Sequence, residues 1–147
     1  MKYSAEKNPE KSARAYGGEF HCSPKHSQNI MRTIKGMKID DAKQLLEDVI
    51  ALKRPIPFKT HLTSVSHRKG IGPGAYPQKA SKYILEVLKN AENNAEYKGL
   101  DTENMIITHA SAYQGRKVKG IMPRAFGRSS PKNEQTTNME IIVEEKE

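Results

Sequence analysis

Apolar side chains recur at helical spacing in three places along the chain and form β-type runs in two others. Ser23-Pro24 supplies an N-cap followed by proline at the first helical position, and Ile30, Met31 and Ile34 then share one face before Gly36, which predicts a first helix. Asp40 is placed to cap a second helix with Ile39 as its staple. Ala42, Leu45, Leu46, Val49 and Ile50 follow it at i, i+3, i+4, i+7 and i+8 spacing. Pro77 opens the third, where Ala80, Tyr83, Ile84, Val87, Leu88, Ala91 and Ala95 line one face and Gly99 is the expected stop. The β-branched, apolar run at 105–113 predicts a strand. A second is predicted at 138–144, where Met139, Ile141 and Val143 alternate with Glu140, Ile142 and Glu144, and the two are expected to pair antiparallel. A short strand is expected at 13–20, weakened by Gly17 and Gly18.

The segments between these elements carry as much information. Residues 1–12 are polar and aperiodic and read as a mobile tail, leaving 13–147 as one domain. Residues 55–76 hold three prolines, three glycines and no helical period, so an extended loop is expected there, longer than compact domains usually tolerate. Residues 114–137 have few large apolar side chains and several breakers, and they connect the two strands as an arm within about 105–144. Two extended stretches of about 15 residues at ~3.3 Å each would reach roughly 50 Å, so most of such a hairpin cannot lie on its own core. Three helices and an antiparallel strand pair are thus expected from the pattern alone.

Charge sharpens this picture. The 147 residues carry a net charge of +8, which favours a polyanionic partner and by itself leaves nucleic acid and an anionic membrane face both open. No apolar run approaches the ~18 residues of a membrane span, the first ten residues are too charged for a signal peptide, and a single cysteine, Cys22, suits a reducing compartment. A protein that stays in the cytoplasm without membrane insertion is expected. The bases are sorted along the chain. Seventeen of the 25 Lys/Arg lie in three stretches free of Asp and Glu, between Glu19 and Asp40, Asp48 and Glu86, and Glu103 and Glu134, so those stretches sum to +17 and the remainder to −9. One such run is ordinarily a solvated face. Three together point to phosphate contact, with Lys25, Arg32, Lys35, Arg68, Lys69, Lys79, Lys82, Arg116, Lys117, Lys119, Arg124, Arg128 and Lys132 as candidates. Lys79 and Lys82 also sit at a helix N-terminus, where the macrodipole disfavours cations unless an external anion is present.

Chemistry of other kinds finds little support. Residues 70–75 superficially fit G-x-G-x-x-A, but no clear strand precedes them, Pro73 and Pro77 interrupt the turn and no acid follows in a second strand. A Gly-rich loop beside Arg68 and Lys69 that approaches RNA phosphates is the preferred reading. His21, Cys22 and His26 lack the second ligand pair of a structural zinc site, so no metal is expected and Cys22 is read as a small buried residue. No paired general acid and base or nucleophile elbow is evident, so neither catalysis nor a cofactor is expected. With nine aromatic residues and no Trp, a broad stacking platform is not expected. Tyr83 reads as packed, and Phe126 is the one aromatic residue assigned a functional role. A free-standing regulatory nucleic-acid-binding protein and an enzyme using the 70–75 loop are the rival readings.

Four blocks then carry a resemblance: Ser23-Pro24-Lys25; the helix ending in Asn90-Ala91 and Asn94-Ala95; Pro123-Arg124-Ala125-Phe126-Gly127-Arg128; and Met139-Glu140-Ile141-Ile142-Val143-Glu144. From about residue 13 to 145 the chain resembles the universal L-twenty-two family of large-subunit ribosomal proteins, called L-seventeen in eukaryotic naming. The long 55–76 segment resembles the archaeal and eukaryotic branch, and the compact length is archaeal-like. The resemblance implies an α+β fold, with three helices packed on a small antiparallel sheet and a long projecting β-hairpin. It also implies a structural constituent that binds large-subunit rRNA, with its body near the peptide exit tunnel opening and its hairpin lining the tunnel wall. Neighbouring ribosomal proteins and the nascent peptide are the further partners implied. By position, Lys25 and His26 would contact rRNA from the first helix, Arg116, Lys117 and Lys119 along the arm, and Arg124 and Arg128 at the tip. Met122, Pro123, Arg124, Ala125, Phe126, Gly127 and Arg128 would form the tunnel tip. Where bacterial relatives continue the first helix with bases, this chain has Ser27, Gln28 and Asn29.

Overall fold

The computed structural model describes residues 3–145; Met1 and Lys2 of the expected tail lie outside the described residues. Strand β1 (Ser12–Phe20) leads into α1 (Pro24–Ile34) and α2 (Ile39–Ile50). Three short strands follow, β2 (Ile56–Pro57), β3 (His67–Arg68) and β4 (Gly72–Ala75), and then α3 (Gln78–Tyr97). The chain closes with β5 (Met105–Val118), β6 (Ile121–Pro123), β7 (Ser129–Pro131) and β8 (Glu134–Glu145).

β8 is the central strand of the antiparallel sheet β1-β8-β5, pairing Ala13 with Val143 and Ala15 with Ile141 on one side and Ile107 with Val143 and Ala112 with Met139 on the other. The three helices cover one face of this sheet. Ile30, Met31 and Ile34 of α1, Leu46 of α2 and Ile84 and Leu88 of α3 are fully buried with Met105, Ile107, Met139 and Ile141. Each such side chain contributes on the order of 2 kcal/mol. Alanines at 13 and 15 on β1 face alanines at 91 and 95 on α3 in the same buried cluster, and small side chains on both elements allow close approach. Asn94 fastens that contact by donating through Nδ2 to the Arg14 carbonyl at 2.8 Å.

The sequence boundaries hold within two residues for all three helices, and the third ends as its composition dictates. Gly99 (φ 74°) takes the left-handed position, its N–H bonds the Glu96 carbonyl and the Leu100 N–H reaches the Ala95 carbonyl, which satisfies two orphan acceptors of the last turn. The second helix starts differently from expectation. Lys38 is its N-cap, Ile39 is its first residue, and Asp40 and Asp41 act through the macrodipole of the first turn, not as caps.

Two further expectations change. The 55–76 segment is not a structureless loop, because β2, β4 and β3 form a small antiparallel sheet in which Ile56 and Phe58 are buried. The alternation in β8 also fails to separate core from solvent: Glu140 and Ile142 are as buried as Met139 and Ile141. The N-terminal segment covers that second face. Glu140 accepts from the Ser4 N–H and hydroxyl and lies 3.0 Å from His109 Nε2, while Lys7 pairs with Glu144 at 3.3 Å.

β5 and β8 are core strands over their inner halves and an arm over their outer halves. The body edge of β5 is closed by the turn between α1 and α2, where Gly36 N–H donates to Ile107 O and Ile107 N–H to Met37 O. Beyond Tyr113 that cover ends, and side chains from 113 to 135 are exposed or only partly covered. Pairing nevertheless continues through Val118 with Glu134, Lys132 N–H with Gly120 O, and β6 with β7. The uncovered 113–123 stretch amounts to about 11 residues, so the free ribbon extends roughly 35 Å of a hairpin about 60 Å long.

A two-stranded ribbon without a packed face is marginal in water. Amides of residues 115–132 in the free protein are therefore expected to exchange several orders of magnitude faster than those at the centre of α3. Equal protection of the two segments by hydrogen-exchange mass spectrometry contradicts this.

Candidate nucleic-acid interface

The protein uses its acids and its bases differently. Lys43 is drawn between Asp40 and Glu92; burial alone would lower its pKa, but hydrogen bonds and charge from the two carboxylates outweigh this and raise it. By contrast Lys25, His26, Arg32, Lys35, Arg68, Lys69, Lys79, Lys82, Arg116, Lys117, Lys119, Arg124, Arg128 and Lys132 are all exposed. Among the described residues, none of these fourteen forms an ion pair with a carboxylate. Their positive potential is left uncompensated at the surface, as phosphate binding requires.

Folding brings Lys25, His26 and Arg68 to one cleft between the opening turn of α1 and the β2-β4-β3 lobe. The lobe is held there by residues that the sequence offered only as missing bases. Asn29 is buried, its Oδ1 accepts from Lys59 N–H and the N–H and hydroxyl of Thr60, and its Nδ2 donates to Thr60 O at 3.1 Å. Gln28 Oε1 lies 3.3 Å from His61 Nε2, and Ser27 turns inward to donate to Ser23 O. Asn29 and Gln28 thus fasten the lobe to α1 and so carry Arg68 to the side of Lys25, whereas Ser27 secures only the helix start. An asparagine aimed at a chain segment 30 residues away leaves no local sequence signal. His26 remains accessible, but one side of its ring packs edge-on to Phe58 at 5.5 Å, and this desolvation lowers its pKa.

α1 and α3 begin without a side-chain cap or an acid in the first turn, whereas α2 has two acids. The positive ends of these two helix dipoles and the adjacent Lys25, Lys79 and Lys82 therefore present positive potential together. Lys79 shares a second cleft with His21, Cys22 and Glu134. Arg32 and Lys35 project from α1 outside these clefts. The three residues weighed as metal ligands diverge: Cys22 is buried with Sγ 3.6 Å from Ser27 Oγ, His21 faces Glu134 at 3.9 Å, and His26 rests on Phe58.

On the arm, Arg116, Lys117 and Lys119 flank Val118. At its base Tyr113 stays protonated, its pKa pushed up to about 12 by burial and by the hydrogen bond its hydroxyl donates to Tyr16. The reversal at the tip runs through Arg124 to Arg128, whose backbone groups bond each other at 2.8 Å, while Arg124 Nε donates to Ser130 Oγ. Phe126 and Gly127 both adopt positive φ, 57° and 68°. For phenylalanine this costs on the order of 1 kcal/mol. No burial offsets it, since the ring is 97% exposed, with Ile121 and Met122 also uncovered nearby. Pro123, Ala125 and Arg128 complete this exposed tip. Tyr83, in contrast, stacks on Phe20 at 4.8 Å in the body.

Comparison with known proteins bears on this surface. A family model described as ribosomal protein L22p/L17e matches residues 15–144. The chain is 53% identical to the large ribosomal subunit protein uL22 of Archaeoglobus fulgidus, over 91% of this chain and 88% of that one. Proteins of the same name from Methanococcoides burtonii and Methanocaldococcus jannaschii are each 49% identical over 99% of this chain and 97% and 95% of theirs.

Asn29→Ala should release the lobe from α1. Removing a buried side chain that satisfies several backbone groups is expected to cost about 1–3 kcal/mol and to make residues 58–70 more susceptible to limited proteolysis. An unchanged denaturation midpoint with unchanged cleavage in that segment contradicts the assigned role.

Proposed function

The chain belongs to the ribosomal protein L22p/L17e family, and from that premise we infer that its uncompensated bases bind large-subunit rRNA, with the body beside the peptide exit tunnel opening and the hairpin lining the tunnel wall. As a family member, and one with close archaeal relatives, it is a structural constituent of the large ribosomal subunit and not an enzyme; its place is the cytoplasm. The observation that carries the RNA reading is the set of thirteen exposed Lys and Arg side chains, without a carboxylate partner among the described residues, spread over α1, the lobe, α3 and the arm. Contacts to several phosphates from one rigid body fix position and register without reading sequence.

The arm suits the narrower role. A ribbon about 35 Å beyond the body, bearing six bases and no acid between Glu103 and Glu134, can pass between phosphates where a neutral or acidic one would be repelled. At its end, Phe126 and Met122 offer apolar surface to bases or to a passing nascent peptide. Neighbouring ribosomal proteins are the further partners of this reading, which rests there on the family alone.

If six to ten phosphates are neutralised, affinity for large-subunit rRNA should fall by roughly three to five decades between about 50 and 200 mM salt. A nearly flat dependence in a filter-binding titration rules the mechanism out. A photoreactive probe at Phe126 in assembled ribosomes should label rRNA and nascent peptide; labelling confined to proteins of the outer surface contradicts the tunnel placement.

A further inference from the structure

We propose that the cleft between the opening turn of α1 and the β2-β4-β3 lobe is a pocket for a single unstacked RNA nucleotide, its base lying on the Tyr76 ring and its phosphate on Lys25 and Arg68. The proposal rests on the rRNA-binding reading and narrows it from a charged surface to one built site. Its first support is room: the cleft measures about 460 Å³, enough for a nucleotide, although other clefts of the molecule are of similar size and volume alone does not select this one.

The second is the chemistry of its wall. No carboxylate lines it, whereas Glu134 and Glu86 line the two other clefts of the body. Phe58 and Tyr76 supply aromatic surface, and hydroxyls at Thr63, Ser64 and Ser66 offer donors and acceptors suited to a base edge or a ribose 2′-hydroxyl. Aromatic faces bind bases of any identity, and single-stranded RNA exposes such faces where a duplex does not.

The third is preorganisation. The Arg68 guanidinium lies over the Tyr76 ring, 5.3 Å from its centroid, so a cation already covers one face of the ring and the base takes the other. Arg68 is further fixed by an Nε bond to Gly74 O at 3.4 Å, within the β3-β4 turn. His61 and Ser64 on the opposite wall hold positive φ values of 58° and 62°, conformations that non-glycine residues keep only where the surroundings impose them. Asn29 imposes them at one end by gripping Thr60, and the Gly74 N–H bond to Ser66 O does so at the other. The wall is thus shaped before any ligand arrives.

The test uses the full chain and deproteinised large-subunit rRNA from an archaeal relative. Tyr76→Leu keeps apolar volume and removes the π face; Tyr76→Phe keeps the face. Affinity should fall about tenfold in Tyr76→Leu with the salt slope unchanged, and stay within twofold of the parent in Tyr76→Phe. Lys25→Ala and Arg68→Ala should each flatten the slope by about one phosphate. Ultraviolet crosslinking of the unmodified protein to the same rRNA, read by mass spectrometry, provides a second measurement independent of any variant's folding, with a nucleotide adduct at Tyr76 or Phe58 expected. Steep, salt-dependent binding by the parent with full affinity in Tyr76→Leu and no adduct at either ring overturns the pocket and leaves the rRNA reading standing. Absence of binding by the parent overturns both. Crosslinks from Tyr76 to a neighbouring protein in intact subunits, with none to RNA, would make the cleft a protein-docking site and also overturn the proposal.

Discussion

The β5-β8 ladder is the constraint on which the rest of the molecule depends, because the same two strands are core at one end and arm at the other. Inside the body, Met139, Ile141 and Val143 are buried under the helices, and a slip of one residue would move all three to the opposite face. That penalty fixes the register of β8 against Ile107, Ala110 and Ala112, and the ladder then transmits it outward to Gln135 opposite Lys117 and Glu134 opposite Val118. The side chains of the arm therefore take their directions from packing about ten residues away. Irregularities in β5 between Ile107 and His109 and between Gln114 and Lys117 adjust the ribbon without breaking the pairing, and Thr136 Oγ1 bonds the Arg116 carbonyl at the second. Thr137, fully buried, ties the base of the arm to the turn before α1 through the Cys22 carbonyl at 2.7 Å.

A second constraint is electrostatic. Where carboxylates are enclosed, the fold supplies donors at close range, as at Glu140 under Ser4 and His109, or at Glu92 beside Lys43. Most of the bases receive no such treatment. Thirteen Lys and Arg side chains stand in water without a counter-charge among the described residues, and α1 and α3 present uncapped N-termini to the same solvent. Self-repulsion of this kind destabilises a free protein modestly and is relieved when a polyanion binds, so the charge distribution is better matched to the assembled state than to the isolated chain.

The lobe shows how a polar contact can substitute for a core. With two- and four-residue strands and only Ile56 and Phe58 well buried, it has too little apolar surface to stand alone, and Asn29 closes four hydrogen bonds that hold its first turn to α1. Satisfied buried amides of this type specify one arrangement, since any displacement leaves the backbone groups of Lys59 and Thr60 without partners.

By itself the sequence determined what depends on neighbours along the chain. Helical periodicity placed all three helices, proline and glycine marked their ends, alternation found the two long strands, and the absence of acids from three stretches marked the bases that the fold leaves exposed and unpaired. The 123–128 motif located the tip. What the tertiary structure alone decided depends on partners far away in sequence. Residues 56–57, 67–68 and 72–75 are too short and too rich in glycine and proline to show a period, and become strands only by pairing with one another. Glu140 reads as solvent-facing by alternation, yet is buried because the N-terminal segment crosses the second face of the sheet. Asn29 reads as a lost base and becomes the anchor of the lobe. Tyr76, unremarked among loop residues, comes to share a cleft with Lys25 because that anchor brings 50 intervening residues back upon α1. Local propensity acts over a turn or two of chain, whereas burial and hydrogen-bond satisfaction are settled only when the whole chain has collapsed.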